Sequence, residues 1–157
     1  MPLSLRLASL ALLLFISSAP AAAQDREVPY WASIRVEEVN MRVGPGGSYR
    51  ILWVYQRKQL PLKVLRLKEG WRLVEDPDGA KGWVLGQFLS LERTAIVTSG
   101  ELAEMYEKAS GDSKLLWRLE PGVVGRLGNC EAGWCRFEAS GHVGFIEQER
   151  LWGVGAP

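Results

Sequence analysis

The chain has 157 residues, of which 47% are apolar, 24% charged and 10% aromatic, a composition typical of globular proteins that excludes collagen-like, low-complexity and disordered chains. Its 19 Lys and Arg against 18 Asp and Glu give a net charge of +1, so the overall charge provides no strong field to recruit nucleic acid or an anionic membrane surface. The length excludes a multi-domain enzyme of ordinary size, because one domain usually takes about 100 to 200 residues.

Residues 1–23 have the organisation of a secretory signal peptide. An apolar run of ten residues, 7–16, is followed by a tract of small side chains. Small residues at Ala21 and Ala23 predict cleavage between Ala23 and Gln24. Ten apolar residues are about half of what a transmembrane helix needs, which disfavours a membrane anchor. The chain is therefore expected to be exported, with no stable membrane insertion after cleavage.

The remainder of the chain repeats itself once. The matching positions are Met41 with Met105, Trp53 with Trp117, Gly70-Trp71 with Gly133-Trp134, and Gly82-Trp83-Val84 with Gly144-Phe145-Ile146. Their separations shorten only from 64 to 62 residues along the chain. This regularity predicts two copies of one unit, at residues 30–91 and 95–154.

Each unit has the pattern of β-structure. Short runs rich in Val, Leu, Ile and Trp alternate with Gly or Pro, and Leu62, Val64 and Leu67 approach the alternation expected of a strand. Such spacing predicts an all-β protein of two small barrels. Gly100–Lys108 is expected to form one or two helical turns, and Gly86–Leu89 a single 3₁₀ turn.

The chain resembles the bacterial SH3-like domain family, with the signature motif in its first unit. The resemblance is carried by Val39-Asn40-Met41-Arg42-Val43-Gly44-Pro45, Gly82-Trp83-Val84, the Asp76-Pro77-Asp78-Gly79 turn, Gly133-Trp134-Cys135 and Leu151-Trp152-Gly153-Val154. It spans about residues 30 to 154, and over this length the chain looks like exported tandem SH3-like proteins of Gram-negative bacteria. It implies two SH3-like barrels in tandem, a periplasmic location and a non-catalytic adaptor or cell-wall-targeting role. The second unit has lost the Asn-x-Arg-x-Gly-Pro motif, so the two units need not bind the same ligand.

The candidate binding site lies in the first unit. A barrel of about 60 residues buries only about 60% of its unfolded surface, so some aromatic side chains stay outside. Tyr49 and Trp53 follow the Gly-rich loop, beside Asn40 and Arg42, and these four residues are the candidates for binding an extended peptide, a peptidoglycan-derived ligand or an envelope protein.

Two further aromatic residues carry the opposite expectation. Trp71 and Trp83, each preceded by glycine in a strand pattern, are expected in the core. A structural or assembly protein, whose tryptophans pack the two barrels together and leave no groove, is the alternative function.

The residues offer little material for catalysis or metal binding. Cys135 with His142, the single histidine, gives a remote alternative as a cysteine hydrolase. Two cysteines and one histidine leave a zinc tetrahedron incomplete. In an exported protein, Cys130 and Cys135 around a turn at Gly133 predict a disulfide between facing antiparallel strands. We therefore expect no enzyme, no metal and no cofactor, while the oligomeric state and the identity of the ligand stay open.

Overall fold

The computed structural model describes residues 26–98 and 100–157. The predicted signal segment, with its cleavage between Ala23 and Gln24, lies outside the described residues. The first sheet contains β1 (Tyr30–Ile34), β2 (Val39–Arg42), β3 (Ile51–Tyr55), β4 (Pro61–Lys68), β5 (Trp71–Glu75), β6 (Lys81–Leu85) and β7 (Leu89–Ser90). The second contains β8 (Thr94–Val97), β9 (Ala103–Tyr106), β10 (Leu115–Leu119), β11 (Val124–Glu131), β12 (Trp134–Ala139), β13 (His142–Glu147) and β14 (Leu151–Trp152). Short 3₁₀ helices, Gly86–Phe88 and Gln148–Arg150, precede β7 and β14.

The two sheets have the same topology. Their strand orders are β3-β2-β6-β5-β4-β1-β7 and β10-β9-β13-β12-β11-β8-β14, and the strand pairs are antiparallel. The anchors of the repeat occupy matching positions, since Met41 pairs with Trp53 and Met105 pairs with Trp117. The predictions of an all-β chain and of two tandem barrels are confirmed.

Each barrel encloses its own apolar core. Alternating residues of the strands point inward, and the fully buried side chains of the first barrel include Ile34, Met41 and Leu62. Gly82 lies against this core, because a Cβ there would be 2.5 Å from Met41 Cγ and 2.9 Å from the Arg42 carbonyl oxygen. Gly144 has the same relation to Met105 in the second barrel. Gly82 and Gly144 are thus required for the close approach of two strands in their barrels.

Residues Gly100–Lys108 form no helix, so that expectation is wrong. Their central part is strand β9, in which Ala103 and Met105 are buried while Glu104 and Tyr106 are partly exposed. This alternation has the two-residue period of a strand. Pairing with β10 and β13 overrides the local helical preference of the segment.

Trp71 and Trp83 are half-buried on the outer face of the first sheet, so their assignment to the core is also wrong. Gly82 and Val84 point inward, and neighbouring residues of a strand point to opposite faces. Trp83 must therefore point outward. At Gly82-Trp83 the glycine, rather than the tryptophan, meets the core, whereas Gly70 before Trp71 is exposed.

The two barrels are in contact through tryptophan side chains. Trp31 is 9% exposed and meets the Trp152 ring edge-on, with centroids 4.8 Å apart. Its Nε1 donates to the Gly155 carbonyl oxygen at 3.1 Å. Ile96 of the second sheet belongs to the apolar cluster of the first barrel. These contacts support the prediction that the two barrels unfold and tumble as one rigid body.

Candidate functional site

The loop between β2 and β3 folds around Tyr49. The Val43 amide donates to the Arg50 carbonyl oxygen at 3.0 Å, and Arg42 Nη1 donates to the Tyr49 carbonyl oxygen at 2.7 Å. The Tyr49 ring covers Gly44, where a Cβ would lie 2.5 Å from the ring. Gly44 is thus needed because any side chain would collide with Tyr49. The motif fixes an aromatic ring that stays 47% exposed.

Strand β3 forms an open edge of the first sheet. Among the described residues it pairs with β2 alone, so one side of its backbone has no strand partner. Ile51, Leu52, Trp53 and Val54 are 39% to 60% exposed, with Trp53 the most exposed of the four. Of the ten exposed large apolar side chains in the described part of the chain, six lie within residues 43–54. Exposed apolar side chains concentrated along an open edge are typical of an interaction surface.

The four residues expected to bind ligand lie around this edge. Arg42 and Tyr49 are joined by the hydrogen bond above, and Asn40 projects from the same face of β2 as Arg42. Asn40 pairs with Val54, whereas Trp53 pairs with Met41. Paired residues share a face, so Trp53 projects from the opposite face to Asn40. A single ligand reaches all four only by running along the edge of β3.

A row of side chains on the outer face of the first sheet was missed by sequence reasoning. Arg42 pairs with both Ile51 and Trp83, and Leu73 pairs with both Trp83 and Arg66. Two arginines therefore flank an aromatic and aliphatic pair on one face. A charge run would have pointed to this surface, because residues 39–68 contain seven Lys or Arg and no Asp or Glu.

The matching loop of the second barrel keeps the backbone but changes the side chains. The Glu107 amide donates to the Lys114 carbonyl oxygen at 2.9 Å, just as the Val43 amide donates to the Arg50 carbonyl oxygen in the first barrel. Ser113 stands where the first barrel has Tyr49, and its Oγ donates to the Ser110 carbonyl oxygen at 2.9 Å. A small hydroxyl side chain needs no glycine beneath it. Loss of the Asn-x-Arg-x-Gly-Pro motif therefore removes an exposed aromatic ring without removing the loop fold.

The side chains of the edge strand in the second barrel have partners within that barrel. Trp117 stacks on His142, with ring centroids 3.9 Å apart. Glu104 accepts hydrogen bonds from Tyr106 Oη at 2.5 Å and Arg118 Nε at 3.1 Å. The hydrogen bond from Tyr106, with Arg118 beside it, holds the pKa of the Glu104 carboxyl below its usual value, and the same bond raises the pKa of Tyr106. At this edge, the charge of Arg118 is thus neutralised by Glu104, and the Trp117 ring is stacked on His142.

A cavity of about 760 Å³ lies beside this second edge rather than beside the predicted site. Its lining includes Glu101, Glu104, Glu147 and Glu149 with Arg118 and Arg150. Arg118 is engaged by Glu104, and Arg150 Nη2 donates to the Glu101 carbonyl oxygen at 2.7 Å. The cavity therefore carries an acidic surface, in contrast to the basic first edge.

The cysteines lie where a disulfide is possible. Cys130 and Cys135 are register partners on β11 and β12, with Cα atoms 4.0 Å apart and the two sulfurs bonded. Cys135 is fully buried and His142 stacks on Trp117. This arrangement leaves no free thiol beside the histidine in the described chain, and it gives the cysteine-hydrolase alternative no support.

Two further classes of site were sought in residues 26–98 and 100–157. They contain no group of three or more His, Cys, Asp or Glu side chains placed to hold a metal ion. Across the same ranges, none of the helices has the length and apolar character to cross a membrane.

Comparison with known proteins places the two barrels in a family. A family model described as bacterial SH3 domain matches residues 35–90 and again residues 99–153. No curated protein matches the chain as a significant relative. The two matched segments together cover more than half of the chain, and they contain β2 to β7 of the first barrel and β9 to β14 of the second.

Solved structures give a more distant likeness. NlpC2 and NlpC1 from Trichomonas vaginalis are both similar to this chain, at 15% identity and a TM-score of 0.36. The likeness covers 82% and 83% of this chain, and 49% and 48% of theirs. The chain therefore spans about half the length of these solved structures.

Proposed function

This chain belongs to the bacterial SH3 domain family, with one family segment in each barrel, and on that premise we propose that it is an exported, non-enzymatic binding protein. Its first barrel recognises a peptide, a peptidoglycan-derived ligand or a partner protein in the cell envelope. Bacterial SH3 domains are binding modules and are often related to the cell wall. The compartment we propose is the periplasm of a Gram-negative bacterium.

The observation that carries this proposal is the open apolar edge formed by the loop 43–50 and strand β3. Trp53 is 60% exposed and Tyr49 47% exposed, although burial of large aromatic rings is a main source of stability in a small domain. The described part of the chain contains no side chain stacked on either ring. Exposed, rigid aromatic side chains at a strand edge are suited to gripping an extended ligand.

A structural or assembly role remains the second candidate, and one observation favours it. Trp31 and Trp152 pack against each other between the barrels, as that role requires. The same role gives no use to Trp53, which lies far from complete burial. Binding at the first edge accounts for both groups of tryptophans, because the interface ones hold the barrels and Trp53 meets the ligand.

Co-sedimentation of the mature protein with purified cell-wall sacculi tests the proposal. We expect the wild-type protein to pellet with sacculi, and Tyr49→Ala and Trp53→Ala to reduce the pelleted fraction. Trp117→Ala is the matched control, since Trp117 occupies the same register position in the second barrel. Binding that is absent in the wild type, or equally unaffected by all three substitutions, would favour the structural role.

A further inference from the structure

We propose that the ligand of the first barrel is an acidic peptide in extended conformation, which adds as a further strand to the open edge of β3. This inference rests on the function proposed above and narrows it to one class of ligand. Three observations carry it: the unpaired strand edge, the charge around that edge, and the different state of the equivalent edge in the second barrel.

The edge of β3 offers the backbone groups that an added strand needs. Ile51–Tyr55 pair with β2 through one side, and no described strand lies on the other. An extended peptide there gains main-chain hydrogen bonds, while its alternate side chains meet the two faces of the edge. One face presents Trp53, and the other presents Val54 beside Asn40. Strand addition is thus the binding mode in which one ligand reaches all of these side chains.

The segment that forms the edge is basic. Residues 39–58, which contain β2, the loop and β3, carry four basic side chains and no acidic one. Among these four, only Lys58 forms an ion pair within the described chain, with Glu37, and Gln56 Nε2 donates to Glu38 just before β2. Arg42 donates to the Tyr49 carbonyl oxygen within the loop, and Arg57 donates to the Gly122 carbonyl oxygen of the second barrel, so neither charge is neutralised by a carboxylate. Arg50 directly precedes β3, and Arg57 lies two residues beyond its end. Carboxylates are the complementary groups for this surface.

The distance between these cations sets the length of the ligand. Arg50 and Arg57 are seven positions apart along a mostly extended segment, which corresponds to roughly 23 Å at about 3.3 Å per strand residue. A peptide of about eight residues spans that length. Such a peptide would place carboxylates near both ends of β3 and apolar side chains against its middle.

The equivalent strand of the second barrel, β10, is also an edge among the described strands, but the charge and the side-chain contacts around it differ. Residues 103–131 contain four basic and five acidic residues. Arg118 of β10 pairs with Glu104, and Trp117 is stacked on His142. Over the whole units, residues 30–91 hold ten basic and six acidic side chains, whereas residues 95–154 hold six basic and nine acidic ones. An acidic strand is therefore attracted to the first edge and repelled by the second.

Binding of three matched peptides to the full mature protein tests the inference. Each has eight residues, blocked ends and alternating valine, with Glu, Gln or Lys at the other positions, and each is measured by fluorescence anisotropy. We expect the Glu peptide to bind about tenfold more tightly than the Gln peptide at low salt, and the Lys peptide most weakly. The preference for the Glu peptide should become smaller at 1 M salt, where the Debye screening length is about 3 Å.

Protein variants localise the charge effect. Arg50→Ala should weaken the Glu peptide about threefold, as expected for one exposed cation. Lys114→Ala is the matched control, because the carbonyl oxygens of Arg50 and Lys114 accept the equivalent loop hydrogen bonds. Strand addition is tested with two Glu peptides, one N-methylated at its odd residues and the other at its even residues. The backbone N–H groups of only one of these two sets point towards β3, and methylation removes them. One methylated peptide should lose binding and the other should keep it.

The outcomes separate this inference from the function on which it rests. Equal binding of the Glu and Gln peptides, or equal effects of Arg50→Ala and Lys114→Ala, would overturn the acidic class of ligand. Equal binding by both methylated peptides would overturn strand addition. Trp53-dependent binding to sacculi would survive each of these results. Loss of that dependence as well would overturn the proposed function itself.

Discussion

The two barrels share a backbone but present opposite surfaces. Trp53 and Trp117 have the same register partners, Met41 and Met105, yet Trp53 stands bare at its edge while Trp117 is stacked on His142. On the outer faces, Lys68 and Leu85 flank Trp71 in the first sheet. Glu131 and Glu147 flank the equivalent tryptophan in the second. The two copies therefore share the core contacts that form the fold, while their surface side chains differ.

The loops show how a motif can disappear while its backbone remains. In the first barrel, a glycine lies beneath the Tyr49 ring. In the second, Ser113 replaces the ring with hydroxyl hydrogen bonds to the backbone, and Lys108 takes the glycine position. Gly44 is therefore needed to make room for the Tyr49 ring, and the loop keeps its fold without it. The family motif therefore marks the barrel with the proposed binding surface more than it marks the fold.

Breaking the contact between the barrels should have the largest effect. Trp31→Ala removes a nearly buried ring and its hydrogen bond to Gly155, and we expect a loss of about 3 to 5 kcal/mol in the free energy of unfolding. If the barrels unfold as one unit, the wild type gives one thermal transition and the variant two. Calorimetry of both proteins checks this. Two transitions in the wild type would show that the barrels are independent.

Removing the disulfide, which lies in the second barrel, should destabilise the protein moderately. The first barrel has Leu67 paired with Arg72 at the equivalent positions of its β-hairpin. Closing a loop of about six residues contributes roughly 2 kcal/mol through the unfolded chain, so reduction, Cys130→Ser or Cys135→Ser should lower the melting temperature without abolishing the fold. Cys130→Ser is the milder change because Cys130 is exposed. Thiol counting on denatured, oxidised protein gives the check, and two free thiols would contradict the bond.

A buried polar pair distinguishes the first core from the second. Tyr55 Oη donates to Asp76 Oδ2 at 2.8 Å, whereas Leu119 and Ala139 stand at the matching strand positions of the second barrel. Burial, followed by the hydrogen bond to Asp76, raises the pKa of Tyr55 above its usual value. The stability from this bond is thus complete below the unfolded pKa of about 10 and is lost as pH rises further.

Tyr55→Phe tests the contribution of that pair. We expect it to cost about 1 to 2 kcal/mol at neutral pH, because Asp76 loses a buried donor. The variant should also lose less stability than the wild type between about pH 9 and pH 11. Urea unfolding at both pH values measures the difference. Parallel pH profiles for the two proteins would show that Tyr55 contributes nothing to the alkaline transition.

The ion pair of the second edge should give the smallest effect. Since the pKa of Glu104 is lowered in the fold, its contribution is present above the unfolded carboxyl pKa of about 4.3 and is lost as pH falls through the folded value. Glu104→Gln should therefore reduce the acid sensitivity of the melting temperature slightly, with little change at neutral pH. Thermal melts from about pH 3 to pH 7 check this. If the melting temperature of the variant fell more steeply with acid than that of the wild type, Glu104 would have the opposite effect to the one predicted.

The sequence predicts the fold better than it predicts the site. Repeated anchors such as Met41 and Met105 persist because they fill the cores, so they identify the two barrels. Trp83 was assigned to the wrong face, because a Gly-Trp pair does not state which residue points inward. The open edge of β3 follows from the strand order, which local patterns do not reveal. The net charge of +1 also hides the basic first unit and the acidic second unit, since their charges nearly cancel.

Radical footprinting of the two equivalent tryptophans tests the central claim, that ligand binds at the first edge alone. Trp53 and Trp117 are 60% and 46% exposed, so both should be oxidised in the free protein. With saturating sacculi, we expect mass spectrometry to find Trp53 protected and Trp117 oxidised as before. Protection of Trp117 with Trp53 unchanged would place binding on the second barrel and contradict the account.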